Sequence, residues 1–206
     1  MPIAAPRPET WIRTTPTGLY CEPGDFYIDP LRPAPRAVIT HGHGDHARPG
    51  NARVLATAAT IAIMQARYGE QAGGAMQPLA YGETLAIGEV QVRLAPAGHV
   101  LGSAQIVLEY RGSRVVASGD YKRRPDPTCA PFEPLHCDLF ITEATFGCRS
   151  SAIRRITRRS TSCCIRFCCF PSAATWSGSM RWANASGCWR CCGRPDTRSR
   201  FICTAR

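Results

Sequence analysis

No stretch of this 206-residue chain approaches the roughly 18 apolar residues that a membrane-spanning helix needs, so no membrane segment is expected. The N-terminus, MPIAAPRPETW, is proline-rich and carries an acid, with no basic head leading into an apolar run. A secretory leader is therefore not expected, and the cytoplasm is the predicted compartment. The sharpest deficits are local. Residues 148–206 contain no Leu, Val, Lys, Glu, Gln, Tyr or His, yet they hold 12 Arg, one acid (Asp196), nine of the twelve Cys and three of the four Trp. Their net charge is +11. Residues 1–147 set 13 Lys and Arg against 14 Asp and Glu, a net of −1, so the overall charge of +10 belongs to the tail alone.

A segment without Leu or Val offers no apolar periodicity and cannot build an ordinary core. One reading of it is an Arg-rich, Cys-rich arm that binds nucleic acid or zinc. Against zinc, Cys163-Cys164, Cys168-Cys169, Cys188 and Cys191-Cys192 contain no two Cys-x-x-Cys units at a finger-like separation. Disulfides would require secretion, which nothing else suggests. A GC-rich coding sequence read out of frame accounts best for the composition, because it gains Arg, Cys, Ser, Ala, Thr and Trp while losing Lys and Glu. The expected organisation is an ordered unit at residues 1–147 and a non-native, disordered tail at 148–206.

Within the first unit, Pro and Gly punctuate short apolar runs, the pattern of many strands with few helices. Strands are predicted at Phe26–Ile28, at Ala37–Thr40 and at Leu139–Thr142. Ala-rich residues 58–68 have helical length and propensity. Two hairpins are predicted, Thr84–Ile87 with Val90–Leu94 around Gly88-Glu89, and Gln105–Tyr110 with Arg114–Ser118 around Arg111-Gly112-Ser113. Asp29, His41, His99, Asp120 and Glu143 each follow a predicted strand, where loops on a rigid sheet carry sites.

The densest chemistry is His41-Gly42-His43-Gly44-Asp45-His46. In an extended loop His41 and His43 lie two residues apart and can address one point. Gly44 then allows a turn that sends Asp45 and His46 to a second point, and the two glycines keep side chains clear of bound ions. Imidazole and carboxylate suit zinc. Four ligand-type residues in six, placed after an apolar strand, argue against a chance exposed loop. A histidine between strands is more often structural, but His99 sits between glycines in PAGHVLGSA and suits entry into a crowded site. Asp120, at the end of SGD, is a common turn residue that can also bridge two ions. The fifth histidine, His136, lies in a proline-flanked loop and is read as surface.

These residues resemble the metallo-β-lactamase fold: His41–His46, His99 and Asp120 look like its second to fourth motifs, and Asp29 its first. AGHVLGSA (97–104), SGDY (118–121) and ITEATFG (141–147) resemble the nucleic-acid-processing β-CASP branch. GLYCEPGDFYIDP, THGHGDHARPG and GDYKRRPDPTCAPFEP resemble the bacterial ligase-associated DNA exonucleases. The resemblance spans residues 10–147 and stops where the composition breaks. It implies an α/β fold, an αββα sandwich left incomplete here, with helices over both sheets. It also implies two zinc ions, one held by His41, His43 and His99, the other by Asp45 and His46, with Asp120 between them. Asp45 would orient the attacking water, Asp29 would fix a ligand imidazole, and Glu143 would be the catalytic acidic residue that opens the β-CASP region, bonded to a histidine there, although a strand-end Glu can equally cap the next helix. Nucleic acid is the implied substrate, DNA ahead of RNA, with an ATP-dependent DNA ligase as a possible partner. The family's insertion supplies further histidines, and residues 148–206 hold none, so one metal should bind better than two and nuclease activity should be weak. A thioester or lactone hydrolase shares the same six-residue motif and stands as the enzymatic alternative. A metal-binding fragment with a nucleic-acid-binding Arg tail is the non-enzymatic one.

Overall fold

The computed structural model describes residues 5–143 and 201–204. Twelve strands and one α-helix are named here in chain order. The first sheet holds β1 (Ile12–Thr15), β2 (Gly18–Cys21), β3 (Phe26–Ile28), β4 (Ala37–Val38), β5 (Asn51–Ala56) and β6 (Gly73–Pro78), side by side in that order. Pairing is antiparallel from β1 to β3 and parallel from β3 to β6. The second sheet holds β7 (Thr84–Ile87), β8 (Val90–Pro96), β9 (Ala104–Tyr110), β10 (Ser113–Ala117), β11 (Leu139–Glu143) and β12 (Phe201–Thr204). Here β7 to β10 are antiparallel neighbours, and β11 and β12 extend the sheet in parallel.

The period-two alternation of strands sorts these residues into layers. Val90, Val92 and Leu94 of β8, Ile106 and Leu108 of β9, and Val115 and Ala117 of β10 face Phe26, Ile28, Val38 and Leu55 of the first sheet in the main core. The intervening residues Ala95, Val107 and Val116 pack on the opposite face against Cys137, with Leu135 and Phe140. On the far side of the first sheet, Ala37, Ile39, Val54 and Ala56 receive Ile61 and Met64 of α1 (Ala58–Tyr68). The layers are therefore helix, sheet, sheet and, over the second sheet, the loop that precedes β11.

That last layer departs from the expectation of helices on both faces. Among the described residues α1 is the one α-helix, and the 119–138 loop covers the second sheet instead. Gln105, buried within β9, donates to the carbonyls of Pro96 (2.9 Å) and Glu133 (2.7 Å) and so pins that loop down.

Helix α1 begins where predicted because Thr57 caps it, its hydroxyl accepting from the Thr60 amide at 3.2 Å. Both predicted hairpins form. The second turns on Arg111 and Gly112 (φ +47° and +83°), the two left-handed residues that a tight hairpin of matching twist needs.

The predicted strand Ala37–Thr40 is shorter than expected and ends at Val38. Ile39 still donates to Leu55 O at 2.9 Å, but the Thr40 amide turns to the Asp29 carboxylate and its carbonyl accepts from Ala104 of the other sheet. Strands β1, β2, β5 and β6 were not predicted. The expected tail lies outside the described residues except for β12, and of Glu143 only the backbone is described.

Candidate metal centre

Four loops converge at one edge of the sandwich, each leaving the C-terminal end of a strand. Asp29 follows β3, His41 follows β4, His99 follows β8 and Asp120 follows β10. One link closes this edge across the sheets, the Ala104 amide donating to Thr40 O at 2.8 Å, and within the second sheet the Lys122 amide ties the loop after β10 to the loop after β8 by donating to Ala97 O at 3.0 Å.

His41 is fully buried, and His43, two residues on, reaches the same point as expected from an extended chain. His41 Nε2 lies 3.0 Å from His43 Nδ1, and His99 Nε2 lies 3.3 Å from that same nitrogen. Asp120 Oδ2 stands 3.4 Å from His99 Nε2 and 4.0 Å from His41 Nε2. One donor atom from each of His41, His43, His99 and Asp120 falls within a 4.8 Å cluster. A tetrahedral zinc site with bonds of about 2.0–2.2 Å sets its donors roughly 3.3–3.6 Å apart. The donor set suits such an ion, and the contacts of 3.0–4.0 Å between neighbouring donors bracket that spacing.

The chain then makes a single helical turn, with His46 N and Ala47 N both donating to His43 O at 3.1 and 2.7 Å. This turn presents His46 and Asp45 beside the first group. His46 Nε2 lies 3.6 Å from Asp120 Oδ1 and 3.7 Å from Asp45 Oδ2. Asp120 thus directs one oxygen at each group, which is the disposition a bridging carboxylate requires. Its side chain is 28% exposed and that of Asp45 is 58% exposed, so both can meet solvent or substrate.

Buried polar contacts fix this array. Asp29, 4% exposed, accepts from His46 Nδ1 at 2.7 Å, from the Thr40 hydroxyl at 2.6 Å and from the Thr40 amide at 2.8 Å. Ser103 Oγ accepts from the His99 and Val100 amides, at 3.1 and 3.2 Å, and shapes the His99 loop. The hydroxyls of Thr57 and Thr60 both donate to Gly102 O and anchor that loop to α1. Arg67, in the last turn of α1, donates to Gly42 O at 2.6 Å. Burial, reinforced by the neighbouring His46, pushes the His41 imidazole down to about 3, and burial also lowers His99. Neutral imidazoles are the form that binds metal.

The predicted site residues whose side chains are described are thus brought together. His136 is exposed, away from the cluster, as expected. The Glu143 side chain lies outside the described residues. Packing, rather than clearance for bound ions, explains Gly42. Gly42 makes room for α1, since a Cβ there would come within 2.7 Å of Ile63, and Gly44 has no left-handed backbone. Thr40 and Ser103 were missed. Their sequence signal is slight: each is a hydroxyl residue close to a candidate ligand.

Two stacked sheets that gather imidazole and carboxylate donors at one edge define a metal-dependent hydrolase fold. Residues 29–158 match the family model of the metallo-beta-lactamase superfamily, more than half of the chain, and the protein belongs to that superfamily. It is 35% identical over 132 residues to a probable DNA ligase of Opitutus terrae, covering 63% of this chain and 13% of that one. It is 32% identical over 163 residues to ribonuclease TTHA0252 of Thermus thermophilus, covering 65% and 37%. With endoribonuclease ysh1 of Aspergillus fumigatus it shares 32% identity over 75 residues, 35% of this chain and 9% of the relative. The chain accordingly spans well under half the length of each of these relatives, which are consistent with the β-CASP branch. Among solved structures, the metallo-beta-lactamase fold protein YhfI of Bacillus subtilis matches with a TM-score of 0.43 and 13% identity over 62% of each chain. No helix among the described residues is long and apolar enough to cross a membrane.

Proposed function

We propose that this chain carries the metal-binding part of a nucleic-acid phosphodiesterase, a DNA exonuclease of the ligase-associated type with weak activity in this form. The observation that carries the reading is the split carboxylate of Asp120, with one oxygen toward His41 and His99 and the other toward His46. His41, His43, His99 and Asp120 would hold one zinc ion, and Asp45, His46 and Asp120 a second. Ions bound there would supply Lewis acidity to a phosphodiester and lower the pKa of a water. The chain's own groups do the rest. Asp45, the most exposed of the carboxylates, orients the attacking water and accepts its proton. Asp29 holds the His46 ring through Nδ1, which leaves Nε2 turned toward Asp45 and Asp120. Glu143, at the end of β11, is proposed as the acidic residue that opens the β-CASP region, with a catalytic role.

The relatives that bear nuclease names support a nucleic-acid substrate over a thioester or lactone. The DNA ligase relative supports DNA and a ligase partner, whereas the ribonuclease relative keeps RNA as the second reading. We further propose that residues 1–147 are the family unit and that 148–206 add nothing to the site.

The test uses the full chain loaded with zinc against end-labelled single-stranded DNA, the matching RNA, and a thioester. Slow, metal-dependent DNA degradation that is lost in Asp120→Ala is expected. Preferential RNA cleavage would move the assignment to the second reading, and thioester turnover without phosphodiester cleavage would overturn both.

A further inference from the structure

We infer that Thr40 is a positioning residue that sets the tautomer of His41, and through it the direction of the metal-binding lone pair. The inference rests on reading the cluster as a metal centre, and adds a residue to it that the ligand pattern does not contain.

One proton decides the tautomer. The Thr40 hydroxyl has a single hydrogen and gives it to Asp29 Oδ2 at 2.6 Å, since a carboxylate can only accept. The hydroxyl oxygen therefore faces His41 Nδ1, 3.1 Å away, with lone pairs alone. That contact is a hydrogen bond only when Nδ1 carries the proton. His41 Nε2 is then the unprotonated nitrogen, and it is the atom that lies 3.0 Å from His43 Nδ1 and 4.0 Å from Asp120 Oδ2. Asp29 fixes His46 in the same sense by accepting directly from its Nδ1 at 2.7 Å. One buried carboxylate thus orients two imidazoles, His46 by contact and His41 through the Thr40 hydroxyl.

Thr40 is held for this task. It is 1% exposed; its amide donates to Asp29 Oδ1 at 2.8 Å, and its carbonyl accepts from Ala104 at 2.8 Å. Gly119, next to Asp120, has φ +52° and packs directly on it, where a Cβ would approach Thr40 Oγ1 to 2.6 Å and Cβ to 2.7 Å. A glycine is needed there on both counts. Valine at position 40 keeps the shape and the backbone bonds but removes the relay, whereas serine keeps the relay.

The experiment reads the tautomer and the metal separately. Nitrogen-15 spectra of the metal-free full chain at pH 7.5 report which His41 nitrogen is protonated. Nδ1–H is expected in the unaltered protein, without recourse to any variant. Zinc affinity, measured by competition with a chromophoric chelator, is expected to fall about 10- to 100-fold in Thr40→Val and to return in Thr40→Ser. Nε2–H on His41 in the unaltered protein, or a Thr40→Val chain that binds zinc as tightly as the original, would overturn the inference. Failure of the unaltered chain to bind zinc would instead sink the proposed function, and the metal-free spectra would still decide the role of Thr40.

Discussion

The buried His41 ring makes the metal-free protein acid-labile in a way that can be calculated. An imidazole titrates near pH 6.5 in the unfolded chain, whereas in the folded one burial and the adjacent His46 lower it to about 3. Between those values the unfolded chain binds the extra proton, so folding stability rises with pH. The contribution is complete above about pH 7.5 and is lost progressively as pH falls from ~6.5 toward 3. At pH 5 the one and a half pKa units already crossed correspond to ~2 kcal/mol, taking 1.36 kcal/mol per unit. The ring is fully buried, so solvent screening does not reduce this figure. His99, also lowered by burial, acts in the same direction. For a chain of this size ~2 kcal/mol moves the melting temperature by about 4–8 °C. The assay is thermal unfolding of the chelator-treated full chain at pH 7.5 and at pH 5.0, alongside His41→Asn. The unaltered chain should melt about 4–8 °C lower at pH 5.0, and the variant should lose most of that difference. An equal or higher melting temperature at pH 5.0, or an undiminished difference in His41→Asn, would refute the reasoning.

Zinc titration followed by metal analysis should show one tight equivalent at His41, His43, His99 and Asp120 and a second, weaker one, because Asp45 and His46 must share Asp120; two equally tight sites would contradict this. In Asp29→Asn the amide can replace only one of two accepting oxygens, leaving the Thr40 amide, or the pair formed by the Thr40 hydroxyl and His46 Nδ1–H, facing a donor. An unpaired buried donor costs about 1–3 kcal/mol, so a melting temperature unchanged from the original would count against the network. Removing zinc from the loaded protein should lower its melting temperature, by ~2.7 kcal/mol of stabilisation when free zinc had stood at a hundredfold excess over Kd; a chelator without effect would show that no ion bridges the loops.

How much was legible in the sequence follows from how local each feature is. The run His41–His46 packs its donors within six residues, and a strand entering it leaves the side chains few directions, so its grouping could be read directly. Helix α1 was readable for a similar reason, since residues 58–68 carry helical length and Ala-rich propensity within themselves. Strands β5 and β6 were not, because neither shows the alternation that marks a half-buried strand; in β5 a buried Asn51 is followed by two exposed residues and then three consecutive buried ones. Thr40 was missed because its meaning depends on a carboxylate eleven residues away and on a ring that turns to meet it. Gly42 was given a local reason, clearance for an ion, whereas the neighbour that demands glycine is Ile63 of a helix some twenty residues on.

The placement of the donors also explains why the site and the fold are one problem. β8 and β10 are both antiparallel to β9, so they run in the same direction and their C-terminal ends deliver His99 and Asp120 to a common edge. β3 and β4 are parallel to each other and deliver Asp29 and His41 to the matching edge of the other sheet. Neither sheet owns a complete set: the first contributes His41, His43, Asp45 and His46, the second His99 and Asp120. An ion held between them is therefore a cross-link between the two halves of the sandwich, acting where the Thr40–Ala104 bond already joins them. Any change that lets the sheets slide, even deep in the shared core at Leu94 or Ile106, should weaken metal binding before it touches a ligand. Chemistry at this edge depends on the same close packing that a metal ion would in turn reinforce.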